Sequence, residues 1–178
     1  MEVEKVEGTL TRVDPFFLPM FQYKNAINDD QCAALIKMCE KQDYHPTVST
    51  EYGEEASKLS TDVSVDKKIL HGIPDMKEHF ELLIQDISIQ VLKQISQGFE
   101  IKSSWTTRTK KGQYSKPHLH KNYYLSAILY LQEDNNLVLR CPWWEKGNFL
   151  FPVHEQSPYT CENTMINSPK NSLLVLPS

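Results

Sequence analysis

Two histidines one residue apart, His118 and His120, open the stretch 116–131, Lys-Pro-His-Leu-His-Lys-Asn-Tyr-Tyr-Leu-Ser-Ala-Ile-Leu-Tyr-Leu. A neutral imidazole carries a ring nitrogen with a free lone pair, the commonest protein donor to a divalent cation. On an extended chain, side chains two apart point to the same side. His-x-His can therefore present two nitrogens to one cation, which is half of a metal site. Behind the pair runs Tyr123 to Leu131, with no charge, no Gly and no Pro. A short uncharged run rich in aromatic and branched residues predicts a strand buried on both faces. The histidines then stand where the chain enters a rigid element. The same pair, flanked by Lys116 and Lys121, also suits a solvated surface turn, and His-x-His alone is a weak motif.

The elements that must position this stretch lie on both sides of it. Residues 8–27 mix Pro15 and Pro19 with Phe16, Phe17, Leu18, Met20, Phe21 and Tyr23, which predicts an extended segment, partly a strand. Asn28, Asp29 and Asp30 supply an N-cap. Cys32, Leu35, Ile36 and Cys39 follow at helical spacing, which predicts an amphipathic helix over about 29–41. Residues 42–68 are polar and predict a long loop, a flap over substrate or a plain surface loop. Met76, Phe80, Leu83, Ile84, Ile87, Val91, Leu92 and Ile95 keep helical spacing between Pro74 and Gly98, so a long helix is expected over about 74–97.

From Phe99 the texture changes to strands. Phe99 to Thr109, with Trp105 and Arg108, is one candidate, and Gly112-Gln113 marks a turn. Leu137–Leu139, Asn148–Val153 and Leu173–Leu176 predict further strands, with 154–171 polar and turn-rich. Helices first and short strands afterwards predict an α+β domain whose sheet curls into a sandwich or barrel.

The chain has 178 residues, 40% hydrophobic and 24% charged, with a formal net charge of −4. That length suits a single domain, 1–178, with a helical part at about 28–98 and a β core at about 99–178. Mild acidity argues against a general nucleic-acid coat protein. The start lacks the pattern of a secretory signal, and no apolar run is long enough to span a bilayer. Cys32, Cys39, Cys141 and Cys161 form no C-x-x-C pair and are too few for a disulfide scaffold. A reduced, cytoplasmic protein with no membrane partner is the expectation.

The pattern Trp105, Gly112-Gln113, His118-x-His120, Leu125-Ser126, Tyr130-Leu131, then Ser168-Pro169 and Leu173-Leu174-Val175-Leu176-Pro177-Ser178 resembles the 2-oxoglutarate and iron(II)-dependent oxygenases. It is closest to a branch found in phages and marine bacteria, and it covers most of residues 16–178. Ala127 and Asn171 stand where that branch usually has Gly. The resemblance implies a double-stranded β-helix, a cupin-like jelly roll, with the N-terminal helices packed on one sheet. It implies Fe(II) as cofactor and 2-oxoglutarate as cosubstrate, in an oxidoreductase that is a dioxygenase and most simply a hydroxylase. The substrate stays open between a small molecule, a protein side chain and a nucleotide. The compartment implied is the cytoplasm, a host's if the protein is phage-encoded.

Carried over position by position, His118 matches the first metal ligand. His120 falls where the family usually has a carboxylate, and it is kept as the second metal-site residue. Tyr130 matches a strand position whose hydroxyl bonds the 2-oxo acid, with a core tyrosine as the plain alternative. Ser126, four residues earlier, is expected on the same face of the same pocket. Arg108 with Lys110, Lys111, Lys116 and Lys121 would form a positive mouth for an anionic cosubstrate, or a solvated basic edge. Trp143 and Trp144 would serve as a substrate platform or cap the sheet. The family's second histidine and its 2-oxoglutarate arginine come after the segment matched by Pro177-Ser178. Neither is in 1–178, so the β core is expected to lack its C-terminal end, with an unpaired edge on the last apolar strand. His154 lies before the matching strand and does not replace the missing ligand. Two other outcomes stand beside the oxygenase: a non-catalytic jelly-roll module that has lost the metal, and a cupin-like three-histidine metalloenzyme with no 2-oxo acid.

Overall fold

A computed structural model describes residues 9–13, 20–90, 98–116, 118, 120–133, 135–140 and 163–178. In chain order the elements are β1 (Thr9–Val13), β2 (Met20–Lys24), α1 (Asp29–Cys39), β3 (Tyr44–Pro46), α2 (Glu54–Lys58), β4 (Asp62–Ser64), α3 (Pro74–Gln90), β5 (Thr107–Arg108), β6 (Leu125–Leu129), β7 (Asn135–Arg140), β8 (Asn163–Ser168) and β9 (Leu173–Pro177). The fold is mixed α+β, with three antiparallel sheets among the described residues. The chain divides into two compact units, Met1–Leu35 with Pro117–Ser178, and Ile36–Lys116.

The first unit is built around β9. Its sheet runs β1-β2-β9-β6, and Leu173, Leu174 and Val175 are all buried. Successive residues on a strand face opposite sides, so three buried in a row mean cover on both faces. This corrects two expectations. The doubly buried strand is β9, whereas β6 is half-buried with Ala127 exposed, and Tyr123 and Tyr124 are exposed ahead of it. An uncharged run signals apolar side chains but does not say which strand lies mid-sheet. The last strand also has no unpaired edge, since Phe21 pairs with Val175 on one side and Ala127 pairs with Val175 on the other.

The link from β2 to α1 is tied to the turn before β9. Ala26 N donates to Asn171 O at 2.8 Å, and Asn171 N donates to Tyr130 O at 2.7 Å. Asn171 has φ of +65°, a left-handed conformation that asparagine tolerates far better than other residues with a Cβ. That is why asparagine can stand here in place of glycine. The α1 start carries a reciprocal cap, with Asn28 Oδ1 accepting from Gln31 N at 2.8 Å and Gln31 Oε1 accepting from Asn28 N at 2.9 Å. Cys32 and Leu35 are its buried residues. The hairpin-like pair β7–β8 places Leu137 opposite Ile166 and Leu139 opposite Thr164. Strand β8 falls where a turn-rich segment was expected, because Met165 and Ile166 are two adjacent apolar residues among polar ones and show no alternation to signal a strand.

The second unit holds β3-β4-β5, α2 and α3. The expected loop over 42–68 is instead largely ordered structure, with Ser57, Ser60, Thr61, Asp62 and Ser64 buried. Hydrogen bonds to Ser60, Thr61, Asp62 and Ser64 allow their burial without apolar side chains. Ser60 Oγ donates to Ser57 O at 2.8 Å, and Ser64 Oγ donates to Asp66 O at 2.9 Å and accepts from Thr106 N at 3.1 Å. The expected strand over 99–109 reduces to Thr107–Arg108. Helix α3 buries Phe80, Leu83, Ile84 and Ile87 at the expected spacing, and the turn at Gly112 has φ of +87°. Residues 91–97, 14–19 and the expected strand Asn148–Val153 lie outside the described residues. Among the described residues no helix is long and apolar enough to cross a membrane.

Candidate metal centre

The two histidines do converge, by a route other than the expected one. They sit ahead of β6 in irregular chain, followed by a turn at Lys121–Asn122 in which Asn122 has φ of +72°. The Nε2 atoms of His118 and His120 stand 3.1 Å apart, with ring centroids 5.0 Å apart and planes inclined by 48°. His118 is exposed and His120 half-buried.

What holds His120 comes from the sheet. Its Nδ1 lies 2.8 Å from Ser126 Oγ, and Ser126 Oγ lies 2.8 Å from Ser178 Oγ. The β6–β9 ladder sets Ser126 opposite Leu176 and extends to a bond from Ser178 N to Tyr124 O at 3.4 Å. Burial, and then the neighbouring His118, push the His120 imidazole below the usual histidine range. Both effects favour the neutral ring, the form that coordinates a cation.

The donor set fits a divalent cation as a pair. Two nitrogens each about 2.1 Å from one cation at a right angle stand about 3 Å apart, close to the 3.1 Å observed. Without a cation the same distance is that of an N–H···N hydrogen bond. Among the described residues no group of three or more His, Cys, Asp and Glu side chains is placed to hold a metal.

The remaining candidates divide. Ser126 is brought to His120. Tyr130 lies one residue past the end of β6, with its hydroxyl bonded to Ser168, and burial raises its pKa while that bond lowers it. Ser168 Oγ also accepts from Gln22 Nε2 at 3.0 Å, and Gln22 and Ser168 are both buried. Arg108 belongs to the second unit, where its Nη2 donates to Asp62 Oδ2 at 3.3 Å and its guanidinium lies 4.4 Å from the centre of the Tyr44 ring. Lys110, Lys111, Lys116 and Lys121 are exposed. Pro117, Leu119, Cys141, Trp143, Trp144, His154 and Cys161 lie outside the described residues.

Ser168 and Ser178 entered the sequence reading only as part of the resembling pattern, with no role attached, and Gln22 did not enter it. Nothing local distinguishes Gln22, whose partner lies 146 positions away. No family model, no curated protein and no solved structure matches the chain.

Proposed function

We propose that this protein is an iron(II)- and 2-oxoglutarate-dependent oxygenase, a cytoplasmic hydroxylase on a double-stranded β-helix, with His118 and His120 as metal ligands. The observation that carries the proposal is the convergence of the two Nε2 atoms at 3.1 Å, beside a serine that engages the far nitrogen of His120. When bound, the iron supplies oxygen activation coupled to conversion of 2-oxoglutarate into succinate and carbon dioxide. The chain's own part is to offer two imidazole nitrogens, to orient one ring from the β6–β9 ladder, and to leave the other exposed. A histidine in place of the usual carboxylate leaves the donor set one negative charge poorer, which favours an added anionic ligand.

A cupin-like metalloprotein without a 2-oxo acid is the second reading. It is favoured by the engagement of Tyr130 with Ser168 and of Arg108 with Asp62, since both were expected to face the cosubstrate. One experiment separates the two. Wild type and His118→Ala are loaded with iron(II) without oxygen, metal stoichiometry is measured, and succinate is then followed with 2-oxoglutarate and oxygen. Stoichiometric iron that His118→Ala loses, with succinate formed by wild type, supports the oxygenase. Iron binding without any 2-oxoglutarate turnover supports the cupin-like reading. Iron held equally by His118→Ala overturns both.

A further inference from the structure

We infer that Ser126, backed by Ser178, is a positioning residue that holds His120 with its Nε2 bare toward the cation; this rests on the metal-centre reading above. An imidazole offers its Nε2 lone pair only when its proton sits on Nδ1. That proton needs an acceptor, and Ser126 Oγ stands 2.8 Å from Nδ1. A serine hydroxyl accepting from a ring must turn its own proton elsewhere. Ser178 Oγ, 2.8 Å further on, is placed to receive it. The chain His120–Ser126–Ser178 then carries one proton per contact.

The direction of this chain also bears on loading. Without a cation the two Nε2 atoms, 3.1 Å apart, are at N–H···N hydrogen-bond distance, so a proton on either of them fills the gap. Both nitrogens can coordinate only when that proton leaves the gap for an Nδ1. Where the gap proton is His120's own, Ser126 and Ser178, donors and acceptors alike, can turn from donating toward Nδ1 to accepting from it as the proton moves there, without breaking contact. Neither hydroxyl belongs to the irregular segment that bears the histidines, because both ride on the β6–β9 ladder. A partner of this kind fixes both the tautomer and the ring orientation of a ligand histidine.

The test uses the full chain with cobalt(II), an oxygen-stable probe, titrated by its absorbance, and zinc(II) for imidazole NMR. Ser126→Ala should weaken cobalt binding about ten- to hundred-fold and lose the slowly exchanging Nδ1–H signal of His120 in the zinc-loaded protein. Ser126→Thr, which keeps the hydroxyl, should retain both. Ser178→Ala should weaken binding in the same direction by less, and with Ser126→Thr it carries the test if Ser126→Ala does not fold. Wild-type cobalt affinity with the Nδ1–H signal intact in Ser126→Ala would overturn the inference. So would a loss that Ser126→Thr fails to restore, which would mean packing. If His118→Ala weakens cobalt binding but Ser126→Ala does not, only the serine's role falls. If His118→Ala changes nothing, the metal centre itself is wrong.

Discussion

Tyr130→Phe separates a structural tyrosine from one that binds a cosubstrate. Phe fills the same volume, so the change removes one oxygen and leaves no cavity. The Tyr130 hydroxyl bonds Ser168, whose side chain is fully buried and already accepts from Gln22 Nε2. With Gln22 donating into Ser168 Oγ, the Ser168 proton is left to point at Tyr130. Loss of a neutral hydrogen bond costs about 0.5–1.5 kcal/mol, and a buried hydroxyl left without an acceptor costs about 1–3 kcal/mol. The two overlap, so a net loss of about 1–2 kcal/mol is expected. Urea unfolding reads this as a lower midpoint at unchanged slope. Tyr123→Phe, at an exposed position, should stay within about 0.5 kcal/mol of wild type and serves as control. Cobalt(II) and 2-oxoglutarate affinities should not move in Tyr130→Phe. Unchanged stability together with weakened 2-oxoglutarate binding would refute the reasoning and return Tyr130 to the cosubstrate.

Leu174→Ala, at a fully buried position in the middle of β9, should cost about 2–5 kcal/mol, read by urea unfolding. Asn171→Ala keeps a Cβ at φ +65° and should lose about 1 kcal/mol or more to left-handed strain, whereas Asn171→Gly should lose less; equal losses would show that the side-chain bond to Asp29 at 3.0 Å is what matters. Glu81 is pushed up by burial, but its bonds to Lys77 Nζ at 2.6 Å and Ile101 N at 2.7 Å outweigh this and hold its carboxyl below the usual range. A carboxyl lowered in the folded state stabilises above its unfolded pKa, and that contribution fades as pH falls through the folded value. Glu81→Gln should therefore destabilise by about 1–2 kcal/mol at neutral pH, and the gap to wild type should narrow as pH falls below the ordinary glutamate range; a gap independent of pH would mean that charge is not involved.

Local pattern was enough wherever one residue's neighbours along the chain decide its state. The cap at Asn28, the Cys32–Leu35 face of α1, the spacing from Phe80 to Ile87, the turn at Gly112 and the apolar run of β9 are all of this kind. Residues 42–68 were misread because burial there rests on paired hydroxyls rather than on apolar side chains, and hydroxyls look like surface in a sequence. The weight placed on Tyr123–Leu131 failed for a related reason: side-chain polarity does not reveal whether a strand lies at the rim of its sheet or inside it.

By itself, the amino-acid order determined which residues could act as cation donors, His118 and His120, and that α1 and α3 would coil into helices and β9 run as a strand. Those are short-range properties, set by spacing along one backbone. The tertiary structure decided that the imidazoles face each other, that Ser126 and Ser178 stand behind one of them, and that Arg108 meets Asp62. The Ser126–Ser178 contact and the Arg108–Asp62 pair depend on strand register and join positions tens of residues apart, and through Ser126 that register reaches His120. The free energy of such contacts exists only once the chain has closed around them.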